Sequence, residues 1–202
     1  MIVVGLTGGI ASGKSFVIEY LKRKKIPTHE SDLVVNKMYK KPSKDFLSYL
    51  KKNGFSDSII NNKINKKMIR DIIFKNKNKK IILEKFIHKK TKYERKIFIN
   101  KNKFKKIVFL AVPLLFEKKL EKEFDFICST ISSIAKREKR ALARSDIDKK
   151  TIRLIIKSQT NDKIRKSRSD YTINTSGSKN KTYLQVDNII YDILSKLWER
   201  LF

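Results

Sequence analysis

Apolar and polar positions alternate with two different periods along this chain. Residues 2–7, Ile-Val-Val-Gly-Leu-Thr, form a β-branched apolar run that stops at glycines, as expected for a buried strand of a parallel sheet. From 15 to 24, Phe16, Val17, Tyr20 and Leu21 recur near helical spacing until Pro27 interrupts the pattern, so a glycine turn joins this strand to a helix. Ile26-Pro27-Thr28 reads as a second strand. Ile107-Val108-Phe109-Leu110-Ala111-Val112, stopped by Pro113, and Phe124-Asp125-Phe126-Ile127-Cys128 repeat the buried-strand look, and Tyr171-Thr172-Ile173 is a weaker instance. Residues 43–100 carry Met68, Ile69, Ile72 and Ile73, then Ile81, Ile82 and Phe86, at helical intervals, which predicts an inserted helical lobe. Near the C-terminus, Val186, Ile190, Ile193, Leu194, Leu197 and Leu201 share one helix face. Strands alternating with helices specify an α/β fold with a parallel sheet, and 202 residues suit one domain carrying one insertion.

Composition narrows the classes. A hydrophobic share of 40% excludes general disorder. No apolar run approaches the roughly 18 residues of a membrane span, and the start, MIVVGLTGG, lacks the charged region that opens a signal peptide, so a cytoplasmic protein is expected. Cys128 is the only cysteine and His29 and His88 are the only histidines, which excludes a disulfide framework and a cysteine-based zinc site within one chain. The formal charge of +29 comes from 49 basic and 20 acidic residues; with ten arginines, 49 − 10 leaves 39 lysines. Such a balance first suggests nucleic acid. Yet the basic residues are spread in short runs, at 22–25, 75–80, 89–92 and 101–106, mixed with Asn and Ile. That distribution favours solvated lysine faces over a polynucleotide groove, while still providing a positive field for anionic ligands.

Gly8-Gly9-Ile10-Ala11-Ser12-Gly13-Lys14-Ser15 matches G-x-x-x-x-G-K-[ST] in the required setting, after a strand and before a helix. Gly8 and Gly13 allow successive N–H groups to face one anion, and the helix N-terminus adds the positive end of a dipole. Lys14 can reach the β/γ-phosphates of ATP, and the Ser15 hydroxyl suits Mg2+. The loop identifies the phosphoryl donor and leaves the acceptor open. Downstream, His29-Glu30-Ser31-Asp32 follows the second strand. Asp32 is a candidate to orient an acceptor hydroxyl and take its proton, with Glu30 near a magnesium-bound water; alternatively Ser31 or Asp32 caps a helix over 33–39. Arg137, Arg140 and Arg144 stand out in a chain that otherwise prefers lysine. Arg140 and Arg144, four apart on one helix face, are candidates to clamp phosphate oxygens, against the alternative of an ordinary charged surface helix.

These residues resemble the dephospho-coenzyme A kinase family, whose strand leads into Gly-Leu-Thr-Gly-Gly-Ile-x-Ser-Gly-Lys-Ser, here Gly5 through Ser15 without a break. The resemblance continues at Ser31-Asp32, at Val112-Pro113-Leu114-Leu115-Phe116-Glu117, and in order through Arg140, Arg144, Gln159, Asp170 and Ile173-Asn174-Thr175-Ser176-Gly177. It implies a three-layer P-loop fold with about five parallel strands, a helical acceptor lobe at about 43–100 and an arginine-bearing lid at about 137–157. The implied reaction moves the γ-phosphate of ATP to the ribose 3′-hydroxyl of dephospho-coenzyme A. The implied donor site comprises Gly9, Ile10, Ala11, Ser12, Gly13, Lys14, Ser15, Phe16, Arg140 and Arg144, with Mg2+ on Ser15. The implied acceptor side comprises Asp32, His88, Pro113, Leu114, Leu115 and Glu117, and Asp32, Lys14 and Arg140 are the implied catalytic set. A monomer or small homo-oligomer without specific nucleic-acid or membrane partners is expected. His88 and the Pro113-Leu114-Leu115 run also fit plainer readings, as a helix-surface residue and a strand end packed in the core. The chain departs from the family pattern at Phe16, Glu30, Asn65-Lys66, Lys89 after His88, and Asn174-Thr175. The rival enzyme reading is a nucleoside kinase of the uridine kinase type, whose loop also reads Gly-Gly-x-x-Ser-Gly-Lys but which the Pro-Leu-Leu-Phe-Glu segment opposes. A nucleotide-dependent RNA-binding protein would require a concentrated basic face.

Overall fold

The computed structural model describes residues 1–144 and 148–199. In chain order the elements are β1 (Ile2–Gly8), α1 (Lys14–Arg23), β2 (Thr28–Glu30), α2 (Ser31–Lys40), α3 (Lys44–Lys52), β3 (Ile59–Ile60), β4 (Lys63–Ile64), α4 (Lys66–Lys75) and α5 (Lys77–Lys101). There follow β5 (Ile107–Ala111), β6 (Phe126–Ile131), α6 (Ile134–Leu142), α7 (Lys149–Ser158), α8 (Asp162–Ser167), β7 (Tyr171–Asn174) and α9 (Lys179–Glu199). Residues 145–147, within the span expected for the lid, and the side chains of Leu197 and Leu201 lie outside the described part.

Two compact units emerge, one made of residues 1–29 and 101–202 and the other of residues 30–100. The first is built on a five-stranded sheet of order β2-β5-β1-β6-β7. β1 runs parallel to both β5 and β6, and β6 runs parallel to β7. Because strand side chains alternate between faces, Ile2, Val4 and Leu6 of β1 join Ile107, Phe109 and Ala111 of β5 and Cys128 of β6 on one face. There they pack against Val17, Ile18 and Leu21 of α1 and Val186 and Ile193 of α9. Ile127 of β6 points to the other face and packs with Val112, Leu115 and Phe116. Both faces of the central strands are therefore covered, and the strand–glycine–helix unit holds the loop after β1 at the carboxyl edge of the central strand.

The second unit has its own core of Met38, Phe46, Leu50, Phe55, Ile69 and Leu83. Ser43 caps α3 by accepting the Phe46 N–H at 3.2 Å, and Asn65 caps α4 by accepting from Lys67 and Met68 at 3.0 and 3.2 Å. Between these helices lies a small antiparallel hairpin, β3 with β4, which the helical reading of 43–100 omits. Asn61 and Asn62 turn it with φ of 48° and 58°, the left-handed pair that a two-residue hairpin loop requires and that asparagine tolerates.

Several boundaries differ from the sequence expectation; β5 stops at Ala111 and β6 starts at Phe126, each within two residues of the expected boundary, and three further differences have physical reasons. The second strand begins at Thr28 because Pro27 has no N–H to give the ladder, although its carbonyl accepts from Phe109 at 3.0 Å. β6 runs on to Ile131, past the end of the apolar run, because the hydroxyls of Ser129 and Thr130 find partners and so can be buried. The helix expected over 33–39 starts at Ser31. Among the described residues, no helix is long and apolar enough to cross a membrane.

Candidate active site around the phosphate loop

The loop from Gly8 to Gly13 is shaped by a few unusual backbone angles. Gly13 has φ 92°, and a side chain there would also meet Thr175, whose Oγ1 would lie 2.7 Å from its Cβ. Ala11 adopts φ 55°, a left-handed conformation that costs an L-residue about 1–2 kcal/mol and persists only where the surroundings enforce it. Turns of this kind gather amides into an anion-binding nest. The Ser12 amide folds back on the Gly9 carbonyl at 3.2 Å, and Phe16 and Val17 start the helical ladder on the Gly13 carbonyl. Lys14 is half-buried and Ser15 exposed in the first turn of α1.

A set of side chains from distant strands and helices surrounds this loop. Ser12 Oγ and Thr130 Oγ1 share a buried hydrogen bond of 2.7 Å, and Thr130 Oγ1 also donates to the Thr7 carbonyl. Thr175 Oγ1 donates to the Ser12 carbonyl at 2.7 Å. Gln159 Oε1 accepts the Ile10 N–H at 2.8 Å, and Arg137 Nε donates to the Ile10 carbonyl at 3.0 Å. Arg137 is 3% exposed; burial pushes its guanidinium below the usual arginine range, with Asp162 at 3.5 Å acting in the opposite sense. Thr130 goes unnamed in the sequence reading, whereas Gln159 and Thr175 enter it only through the family likeness, without a role. Thr130 has one local signal, the Ser129-Thr130 pair at the end of an otherwise apolar strand, whereas Gln159 follows a helix and has none.

Arg140 faces a different part of the site from Arg137. Its Nη2 donates to the Thr175 carbonyl at 2.6 Å and its Nη1 to Thr175 Oγ1 at 3.0 Å, with a longer 3.5 Å approach to the Ala11 carbonyl. Arg140, Arg144, Gly13, Phe16, Thr175, Gly177, Lys179 and Thr182 line a groove of about 190 Å3 beside the start of α1. Phe16 stacks on Tyr183 at 5.1 Å, Tyr183 stacks on Tyr20 at 4.1 Å, and the Arg23 guanidinium covers Tyr183 at 5.0 Å. The Phe16 departure is thereby absorbed into an aromatic ladder between α1 and α9.

The Pro-Leu-Leu-Phe-Glu segment divides between core and surface. The Thr7 hydroxyl donates to the Pro113 carbonyl at 3.1 Å; Leu114 is 41% exposed, whereas Leu115 is fully buried. Glu117 Oε1 accepts the Thr160 N–H at 2.8 Å and lies 3.1 Å from Arg165 Nη2, and Arg165 is fully buried. Burial pushes the Glu117 carboxyl up, but the Thr160 amide and Arg165 outweigh it and hold the group below the usual carboxylate range. These contacts tie Glu117 to the segment between α7 and α8.

The remaining candidates belong to the second unit. α2 has Glu30 at its N-cap with no capping bond from a side chain, so Ser31 and Asp32 occupy the first turn and neither is the cap. Asp32 is exposed there. His88 is half-buried on α5, its carbonyl accepting from Thr91 Oγ1 at 3.1 Å. Lys85, Phe86, Lys89, Lys90 and Tyr93 of α5, with Asp45 and Tyr49 of α3, line a cleft of about 500 Å3. Among the described residues, no cluster of three His, Cys, Asp or Glu side chains is placed to hold a metal ion. The oxygen donor at the loop is the exposed Ser15 hydroxyl in the first turn of α1, the kind of single protein ligand that magnesium takes alongside waters and phosphate oxygens.

The dephospho-CoA kinase family profile matches residues 2–181. A dephospho-CoA kinase of Bartonella quintana is 35% identical over 196 residues, covering 96% of this chain and 99% of that protein. One from Buchnera aphidicola is 30% identical over 200 residues, covering 98% and 92%. Among solved structures, a Thermus thermophilus protein superposes with a TM-score of 0.82 at 21% identity, covering 96% of this chain and 97% of that one. A dephospho-CoA kinase from Campylobacter jejuni superposes with a TM-score of 0.69 at 20% identity, covering 96% and 98%.

Proposed function

This chain belongs to the dephospho-CoA kinase family, and we propose that it transfers the γ-phosphoryl group of ATP to the ribose 3′-hydroxyl of dephospho-coenzyme A, giving coenzyme A and ADP. The observation that carries the reading is the loop after the central strand, with left-handed Ala11 and Gly13 leading into Lys14 and Ser15 at the N-terminus of α1. The nucleoside kinase and RNA-binding alternatives draw no support from the relatives.

In this reading the loop amides and Lys14 hold the β- and γ-phosphates, and the groove lined by Phe16, Arg140 and Arg144 takes the nucleoside end of the donor. The contacts of Arg140 with Thr175 lead us to assign it to donor binding rather than to the transferring group. Ser15 would hold Mg2+, which would supply charge neutralisation to the phosphates when bound. Asp32 orients the acceptor hydroxyl and takes its proton as that oxygen bonds to the γ-phosphorus and the bond to the ADP oxygen breaks. His88, Pro113 and Leu114 are assigned to the acceptor side, while Leu115 and Glu117 support it from the core and from the Thr160–Arg165 contacts. The setting proposed is a cytoplasmic monomer or small homo-oligomer, and the lysines serve as solvated surface. The stretches expected at about 43–100 and about 137–157 are proposed as acceptor lobe and lid.

The test is to incubate the purified chain with Mg-ATP and, separately, dephospho-coenzyme A, uridine or a short RNA. ADP formation with dephospho-coenzyme A, and a product one phosphate heavier at the 3′ position, are expected. ADP formation with uridine alone would overturn the assignment, and tight saturable RNA binding at near-physiological salt would revive the binding-protein reading.

A further inference from the structure

Ile10, inside the donor loop, is gripped at both ends of its backbone by side chains far away in sequence. Its N–H goes to Gln159 Oε1 at 2.8 Å and its carbonyl accepts from Arg137 Nε at 3.0 Å. Arg137 Nη2 lies 3.5 Å from the same Gln159 oxygen, so the two gripping groups are also tied to each other. Gly9 must lack a side chain for this approach, because a Cβ there would overlap the Arg137 guanidinium, with Cζ at 2.8 Å.

The grip is itself anchored. Thr160, the residue after Gln159, has its N–H on Glu117 Oε1 at 2.8 Å and its carbonyl on Arg165 Nε at 3.0 Å, and half-buried Glu117 forms an ion pair with fully buried Arg165. Asp162 lies 3.5 Å from Arg137 Nη1 and 4.0 Å from Arg165 Nε, joining the two arginines. The strained residue, Ala11 at φ 55°, directly follows Ile10. A left-handed alanine is retained only where its neighbours over-determine it, and here both polar groups of the preceding residue are fixed.

Resting on the function proposed above, we infer that Gln159 and Arg137 are positioning residues that hold the Ile10–Ala11 turn in its anion-binding form, Gln159 from the amide side and Arg137 from the carbonyl side. Neither needs to touch the phosphates. Their effect is preorganisation: the nucleotide meets a turn that is already set, and its binding does not have to order the loop.

The test is Gln159→Met, which keeps the length of this half-buried side chain and removes the acceptor. Isothermal titration with ADP reads the loop independently of turnover, and amide hydrogen exchange reads the Ile10 contact directly. The expected result is an ADP dissociation constant raised on the order of 5- to 10-fold, the scale of one net hydrogen bond. Exchange protection at Ile10 is lost while the β1 amides keep theirs, and KM for dephospho-coenzyme A changes by less than about twofold, since only the donor loop is disturbed. Gln159→Glu restores an acceptor and is expected to restore protection at Ile10. Unchanged ADP affinity in Gln159→Met, or undiminished Ile10 protection, overturns the inference. Failure of the unaltered protein to bind ADP overturns the function reading itself, and a fall in kcat with normal ADP affinity would make Gln159 a catalytic group instead.

Discussion

Thr175 Oγ1 donates to the Ser12 carbonyl at 2.7 Å, so the turn after the last strand of the sheet is bonded to the phosphate loop after the first. The same oxygen accepts from Arg140 Nη1 at 3.0 Å, which makes a single buried hydroxyl the junction between loop and arginine. Threonine here is one of the chain's departures from the family pattern, and its contacts give the departure a physical purpose.

Thr175→Val keeps the shape and removes that junction. The buried Ser12 carbonyl loses its side-chain donor and the Arg140 guanidinium loses an acceptor, a cost of about 1–3 kcal/mol. Thermal unfolding is expected to reflect that loss, and ADP affinity to fall about 10-fold as the loop loosens. Thr175→Ser, which keeps the hydroxyl, is expected to stay within about threefold of the parent on the same titration, a gap too small for a lost hydrogen bond. Equal behaviour of the two variants would remove the hydrogen bond from the account.

Glu117 makes a prediction about acid. Its carboxyl is held below the usual range in the folded chain, so it contributes stability above the unfolded carboxylate value near 4.3, and that contribution is lost as pH falls through the lower folded value. Glu117→Gln leaves the buried Arg165 charge with Asp162, 4.0 Å away, as its remaining carboxylate partner, which costs about 1–3 kcal/mol near neutrality. Melting curves from about pH 7 down to about 3 should converge, with the parent losing stability more steeply than the variant below about pH 5. Parallel curves would mean the pair does not carry the acid sensitivity.

β1, α1, β5, β7 and α9 fall where the apolar periods put them, because each is defined by burial on a sheet face or a helix stripe within a short window. The phosphate-loop motif is equally local, eight consecutive residues between a strand and a helix. What supports that loop is not local. Gln159 is 149 positions from Ile10, Arg137 is 127 from it, and Thr175 is 163 from Ser12. No periodicity encodes such contacts, and polar residues at strand ends read in sequence as loop. The β3–β4 hairpin is missed for a different reason: its strands are two residues long, below any pattern length, and only the Asn61-Asn62 pair marks the turn.

Lys14→Ala tests the donor side. The proposed role of the ammonium is to follow the β/γ-phosphates as charge develops, an interaction stronger in the transition state than with bound ATP. Turnover with dephospho-coenzyme A should fall on the order of 10²-fold or more, while circular dichroism and the melting temperature change little, because Lys14 is only half-buried. A well-folded variant with undiminished turnover would take the loop lysine out of the mechanism.

Asp32 lies in the first turn of α2, where Glu30 is the N-cap and no side chain makes the capping bond. The carboxylate is therefore free of a capping duty, and its structural worth is confined to a favourable interaction with the helix dipole, about 0.3–1 kcal/mol at an exposed position. Asp32→Asn keeps the size of the side chain and removes the base. Stability should shift by no more than about 1 kcal/mol, while turnover falls roughly 10²-fold or more, the usual scale of a general base, and ADP affinity at the loop is preserved. The three measurements belong on one preparation, because a folding defect would lower turnover and stability together, whereas loss of the base separates them. Near-normal turnover in a stable, ADP-binding variant would reduce Asp32 to a surface carboxylate and move the search for the base to its neighbour Glu30.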